Sequence, residues 1–84
     1  MLLQLVRSEY NTQTVKNIRL NSKGNDVRWL QYELNQRGYK LIVDGIAGNL
    51  TIGAVMDFQK KHGLKPDGIC GILTRTALRE ANMQ

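Results

Sequence analysis

Two aspartates, Asp44 and Asp67, are the residues whose type and spacing first suggest chemistry in this chain. Paired carboxylates can act as general acid and base, and loop carboxylates can bind calcium. Each aspartate is followed at once by glycine, however, which is a strong turn signal because aspartate bonds nearby backbone and glycine accepts a positive φ. An EF-hand loop would also need further carboxylates and a glutamate at its twelfth position, where this chain has Val55. We therefore predict that both aspartates shape turns.

The remaining reactive side chains are too few for a catalytic or metal-binding set. The chain has one cysteine, Cys70, and one histidine, His62, so it lacks an internal disulfide, a cluster of soft metal ligands and a Ser/His/Asp arrangement. We expect no enzyme activity, no cofactor and no metal. Cys70 is expected to be a small, partly buried thiol and not a reactive one.

The aspartates lie in a phrase that the sequence contains twice, at Val43–Val55 and again at Pro66–Leu78. Seven positions keep their character at one offset: Asp, Gly, Ile, Gly, Thr, Ala and an aliphatic residue. A loop and helix entry used twice predicts a small symmetric scaffold. Thr51 and Thr74 fall in the first turn of the helices that follow, where a hydroxyl can bond local backbone.

Helical spacing of apolar residues predicts an all-α fold, a small three-helix bundle with two Asp-Gly loops in pseudo-repeat and an N-terminal extension. The inward positions are Val27, Leu30 and Leu34 in the first helix and Val55, Phe58 and His62 in the second. We expect Asn25 or Asp26 to cap the first helix and Gly38 to end it. Gly63 should end the second helix. The third helix should run from near Ile72 to Glu80 or Ala81.

Gln31 and Gln59 fall inside the apolar stripes of the first two helices. A buried amide is costly unless it is hydrogen-bonded, and each helix is followed by a loop rich in backbone groups. We therefore interpret Gln31 and Gln59 as structural residues, together with Asp67 and Thr74.

Size and charge limit the remaining possibilities. A chain of 84 residues forms one domain at most and buries only about 60% of its unfolded surface. The net charge of +5 is dispersed, which is typical of solvated helix faces or of attraction to a polyanion such as nucleic acid or an acidic wall polymer. The apolar start at residues 2–6 is too short for a signal peptide or a membrane span, so no membrane partner is expected.

We assign residues 1–22 to an extension or linker, with a short polar, β-prone element at residues 10–14, and residues 23–84 to the globular domain.

Trp29 and Tyr32 lie opposite the inward stripe of the first helix. Either residues 1–20 or a second copy of the chain would cover them, or they would stack on sugar rings. A homo-oligomer through residues 1–22 with Trp29 and Tyr32 is therefore one expectation.

Three ordered motifs resemble the type 1, three-helix peptidoglycan-binding domain, over about residues 21–78. They are Gly24-x-Asp26-Val27-x-x-Leu30-Gln31-x-x-Leu34-x-x-x-Gly38-Tyr39, then Val43-Asp44-Gly45-Ile46-x-Gly48-x-x-Thr51-x-x-Ala54-Val55-x-x-Phe58-Gln59, and finally Gly63-Leu64-x-x-Asp67-Gly68-Ile69-x-Gly71-x-x-Thr74.

The resemblance implies a non-catalytic module that anchors a bacterial or phage cell-wall hydrolase, an endolysin or autolysin, to murein. Its partners would be peptidoglycan and a catalytic domain in the parent chain, and its place of action the cell wall, after export or phage-induced lysis. The expected contact surface lies near the first loop, with Tyr39, Asp44, Asn49 and Thr51. The alternative function is that of a small basic DNA-binding protein. The second helix, however, begins with residues whose side chains are poorly suited to hydrogen bonding with base edges. No nucleic-acid partner is therefore expected.

Overall fold

The computed structural model of the chain describes residues 17–82, and for residues 81 and 82 the backbone only. Three helices follow one another: α1 at Asn25–Asn35, α2 at Asn49–Lys61 and α3 at Ile72–Asn82. Within these residues β-pairing is limited to two isolated bridges, Ile18 with Cys70 and Lys23 with Ile46. The predicted all-α, three-helix fold is confirmed. No helix among the described residues has the length and apolar character that crossing a membrane requires.

The start of α1 differs from the prediction. Neither Asn25 nor Asp26 caps the helix; the N-cap is Gly24, without a side-chain cap bond. Gly24 adopts φ 126°, which L-residues rarely take, and its N–H donates to Gly45 O at 2.9 Å. Asp26 instead approaches Arg75 of α3, with 3.6 Å between Oδ2 and Nη2. A backbone tie to the first loop therefore takes the place of a side-chain cap.

The core is built from one stripe of each helix and from the loops between them. Phe58, Leu30, Leu34, Val27, Val55 and Leu78 form its bulk, with Ile18, Ala47, Ala54 and Cys70. His62 is not in it, so its prediction as an inward residue is wrong. α2 ends at Lys61, and the exposed His62 is its C-cap, where its ring stacks on Phe58 at 4.0 Å.

The chain before α1 is part of the packed unit. Ile18 is buried and exchanges two backbone bonds with Cys70, at 3.1 and 2.8 Å. Asn21 N–H donates to Ala47 O at 2.8 Å, and Ala47 N–H donates to Ser22 O at 2.9 Å. Packing therefore begins ahead of the predicted boundary at residue 23. The apolar start and the element at residues 10–14 lie outside the described residues.

Trp29 is covered by α3. The guanidinium carbons of Arg75 and Arg79 lie 5.5 and 5.8 Å from its ring centroid, which is cation–π geometry. Tyr32, on the next turn, is 54% exposed. Two arginines of α3 thus cover part of the half-buried Trp29, and the cover expected from residues 1–20 or from a second copy stays a prediction.

Burial of Cys70 gives a prediction for thiol reactivity. The side chain is fully buried, and desolvation raises the pKa of its thiol to about 11. Because the thiolate is the nucleophile, alkylation by iodoacetamide at pH 8 should be about a hundredfold slower in the native protein than in the denaturant-unfolded chain. Mass spectrometry of quenched samples measures both rates, and equal rates would contradict the burial.

Candidate functional site

A hydrogen-bonded network joins the first Asp-Gly loop to α1 and α2 through one buried amide. Gln31 Nε2 donates to Asp44 Oδ1, Ile46 O and Thr51 Oγ1, at 3.0, 3.0 and 3.1 Å. Its Oε1 accepts the Gly45 N–H at 3.0 Å. Asp44 Oδ1 also accepts the Ile46 N–H at 3.0 Å. One amide group therefore fixes the loop and the first turn of α2 together.

The second Asp-Gly loop is held in the same way by α2 and α3. Gln59 Nε2 donates to Asp67 Oδ1, Ile69 O and Thr74 Oγ1, at 3.2, 3.0 and 2.9 Å. Gly68 N–H donates to Gln59 Oε1 at 3.0 Å, and Ile69 N–H donates to Asp67 Oδ1 at 2.9 Å. Both glutamines are only 1% exposed. Their amides bond to their own chain, which makes them structural.

These bonds occupy several groups that the sequence suggested for ligand contact or for local bonding. Thr51 and Thr74 are buried, and each hydroxyl oxygen accepts a hydrogen bond from a glutamine of the preceding helix. The backbone N–H of Ile46 is the main cause that lowers the pKa of Asp44, with Gln31 adding to it. Among the described residues no group of three His, Cys, Asp or Glu side chains is arranged to hold a metal ion.

The four residues predicted near the first loop differ in their exposure. Gln31 joins Asp44 to Thr51, and Thr51 is turned into the core. Tyr39 is half-buried beside α2, where its hydroxyl donates to Asp57 Oδ2 at 2.6 Å. Asn49 is exposed at the first residue of α2. Asp44 and Asn49 are therefore the two whose side chains face solvent.

Tyr39 belongs to a small polar cluster on the edge of the core. Asp57 pairs with Lys61 at 3.1 Å, and the Lys61 ammonium lies 5.8 Å from the Tyr39 ring centroid. Desolvation, with the neighbouring Asp57 carboxylate, raises the pKa of Tyr39 to about 12. The phenol is therefore a neutral hydrogen-bond donor that ties the α1–α2 connection to α2.

An open cleft of about 410 Å³ lies on the other loop, and sequence reasoning missed it. We call it the second-loop cleft. Its apolar lining is Leu64, Ile69, Ile72 and Leu73; its polar lining is Asn17, Lys65, Gln59, Asp67 and Thr74, with Gly71 between. Ile72 and Leu73 are strongly exposed at the start of α3. Two aliphatic residues at the start of a helix, Ile72 and Leu73, were the available signal in the sequence.

The two loops present different side chains although they share their internal bonds. Arg28 lies over Gly45, so that a Cβ there would be 3.0 Å from Arg28 Nε. Ile52 and Met56 lie over Gly68 in the same manner. The first loop is thus covered by a cation, and the second by apolar groups.

Comparison with known proteins places this geometry in a family. A family model described as "Putative peptidoglycan binding domain" matches residues 23–78. The N-acetylmuramoyl-L-alanine amidase CwlM of Mycobacterium tuberculosis is 45% identical over 56 residues, which are 66% of this chain and 14% of that protein. A spore cortex-lytic enzyme of Bacillus cereus is 40% identical over 65 residues, 76% of this chain and 25% of that protein. The chain therefore spans a minor part of these relatives.

Solved structures share the fold. The SleB N-terminal domain superposes with a TM-score of 0.79 and 38% identity, over 81% of this chain and 94% of that one. A Burkholderia AP3 phage endolysin superposes with a TM-score of 0.73 and 46% identity, over 75% of this chain and 24% of the endolysin. The second comparison shows that such a unit occurs as part of a larger protein.

The glutamine network predicts a large loss of stability on a nearly isosteric change. Gln59→Leu leaves the Gly68 N–H and the Thr74 hydroxyl without their partner in the core, which should cost roughly 2–4 kcal/mol of unfolding free energy. Urea unfolding measures it. The matched control is Gln36→Leu at an exposed site, expected within about 0.5 kcal/mol of the parent; equal stability of the two variants would contradict the structural role.

The lowered aspartate pKa values predict acid sensitivity. Backbone N–H donors lower the pKa of Asp44 and of Asp67 in the folded state. Their contribution to stability is therefore present above the ordinary aspartate pKa and is lost as pH falls below about 4. The thermal midpoint should decline from pH 5 to pH 2.5, and less steeply in the Asp44→Asn, Asp67→Asn double variant. A double variant that declines as steeply as the parent would refute this linkage.

Proposed function

The chain belongs to the peptidoglycan-binding domain family, and from this premise we propose that it is a non-catalytic module that holds a cell-wall hydrolase on murein. The single observation that carries the proposal is the family match over residues 23–78. The relatives named above are an amidase, a spore cortex-lytic enzyme and an endolysin. All three are named for lysis or hydrolysis, and the matched unit is a small part of each.

The bonding of the acidic groups supports a binding role over a catalytic one. The two aspartates of the repeated phrase each accept two hydrogen bonds from their own chain, and their pKa values are lowered. A general acid at neutral pH needs a raised pKa instead. Among the described acids, Asp57 is likewise held by Tyr39 and Lys61. These carboxylates are suited to fixing loops.

The charge of the chain suits an anionic wall. Seven basic side chains are exposed among the described residues: Arg19, Lys23, Arg28, Lys40, Lys60, Lys61 and Lys65. Such a surface attracts anionic polymers over about 10 Å at 0.1 M salt and over less at higher salt. We propose that the module acts at the cell wall, joined to a catalytic domain in its parent protein.

Co-sedimentation tests the proposal. The pure chain should pellet with purified murein sacculi, with retention that falls from 0.05 to 0.5 M NaCl as surface charges are screened. It should release no soluble sugar or peptide from the sacculi. Cellulose is the control for adsorption to an insoluble polysaccharide.

Two outcomes would contradict the proposal. A chain that stays in the supernatant at low salt is not a murein-binding module. Release of murein fragments by the chain alone would show that it is an enzyme, and the non-catalytic part of the proposal would then be wrong.

A further inference from the structure

We propose that the second-loop cleft binds the peptide stems of peptidoglycan and not its glycan strands. The inference rests on the proposed function and goes further by naming the part of the polymer and the surface that takes it.

The size and lining of the cleft suit a short peptide with small side chains. Its volume of about 410 Å³ is within the range of ligand sites, about 300–1,000 Å³, which are mostly apolar with a few polar groups. Leu64 and Ile69 are half-buried, while Leu73 is 73% exposed. Contact with methyl groups of alanine residues would remove this apolar surface from water.

Lys65 gives the cleft a partner for a carboxylate. Its exposed ammonium is the basic group of the lining, whereas Asp67, the acidic one, already has Oδ1 held by the Ile69 N–H and by Gln59. Asn17 adds an amide at the rim, with Oδ1 so close to Gly71 that a Cβ there would lie 3.0 Å from it. Stem peptides carry both carboxylates and amides, and a charged hydrogen bond from lysine suits the former.

The aromatic side chains of the described region are placed elsewhere. None of the described residues that line the cleft is aromatic. Trp29 lies under Arg75 and Arg79, and Tyr39 is bonded to Asp57. The cleft therefore lacks the flat ring on which a sugar would stack, and its apolar groups are branched aliphatic side chains suited to methyl groups.

The first loop differs from the second at two of the lining positions, which gives an internal control. At the offset of the repeat, Lys65 and Ile72 correspond to Ile42 and Asn49, so the first loop has no lysine at the position of Lys65. Leu50 corresponds to Leu73, and both are the second residue of their helix, at 81% and 73% exposure. Leu73→Asp and Leu50→Asp are therefore the same change in the same local structure, one at the cleft and one away from it.

The experiment compares three forms of wall material and these variants. The parent chain is titrated onto sacculi, onto glycan strands from which an N-acetylmuramoyl-L-alanine amidase has removed the peptides, and onto sacculi with those released peptides as competitor. We expect binding to sacculi, competition by the peptides and at least a tenfold loss on stripped strands. Leu73→Asp should weaken binding to sacculi about tenfold, Lys65→Gln about threefold, and Leu50→Asp should bind as the parent does.

Each result is decisive. Thermal midpoints verify that both aspartate variants are folded, as exposed helix-start positions should allow. Equal binding to stripped strands, failure of the peptides to compete, or equal effects of Leu73→Asp and Leu50→Asp would overturn the inference while sacculus binding upholds the proposed function. Failure of the parent chain to bind sacculi would instead overturn both.

Discussion

The structure depends on buried glutamine amides that are satisfied entirely by their own chain. An unpaired amide in the core would be costly, so Gln31 and Gln59 can be buried only if a loop delivers the right backbone and side-chain groups to them. Each Asp-Gly loop does so, with a glycine N–H for the amide oxygen and with an aspartate oxygen and a backbone carbonyl for the amide nitrogen. A threonine hydroxyl in the following helix is the third acceptor. The requirement acts in both directions, because the loops acquire their shape from the same bonds. Apolar packing alone would not fix the loops, since dispersion and burial are non-directional.

This coupling explains how much of the molecule could be predicted from its sequence. Helix periodicity and the two Asp-Gly turns gave the three helices, and the burial of Gln31 and Gln59 followed from their place in the apolar stripes. The same periodicity failed at His62, because α2 ends one residue earlier and a C-cap side chain is free to leave the stripe. Capping by Asn25 or Asp26 failed because Gly24 is tied to the first loop by backbone. Such long-range ties have no local signal.

The candidate site was harder to predict than the fold for a related reason. Residues that match between the two phrases attract attention, and in this molecule they are the ones committed to internal bonds. Asp44 and Thr51, expected to contact ligand, are joined by Gln31. The surroundings of the two loops differ instead in neighbouring residues, such as Lys65 against Ile42, and Arg28 over Gly45 against Ile52 and Met56 over Gly68. The shared Asp, Gly, Gln and Thr residues hold the loops in shape, and these neighbours give each loop its own exterior.

The segment that precedes α1 has a mechanical consequence. Its Ile18 is bonded to Cys70, and its Asn21 and Ser22 are bonded to Ala47. Ala47 and Cys70 occupy equivalent positions in the two loops. A pull on the chain at residue 17 would therefore act first on the bridge between Ile18 and Cys70, both buried, and then on the bonds to the buried Ala47. Force applied from that side would thus reach the loop ahead of α3 and the loop ahead of α2 through backbone hydrogen bonds.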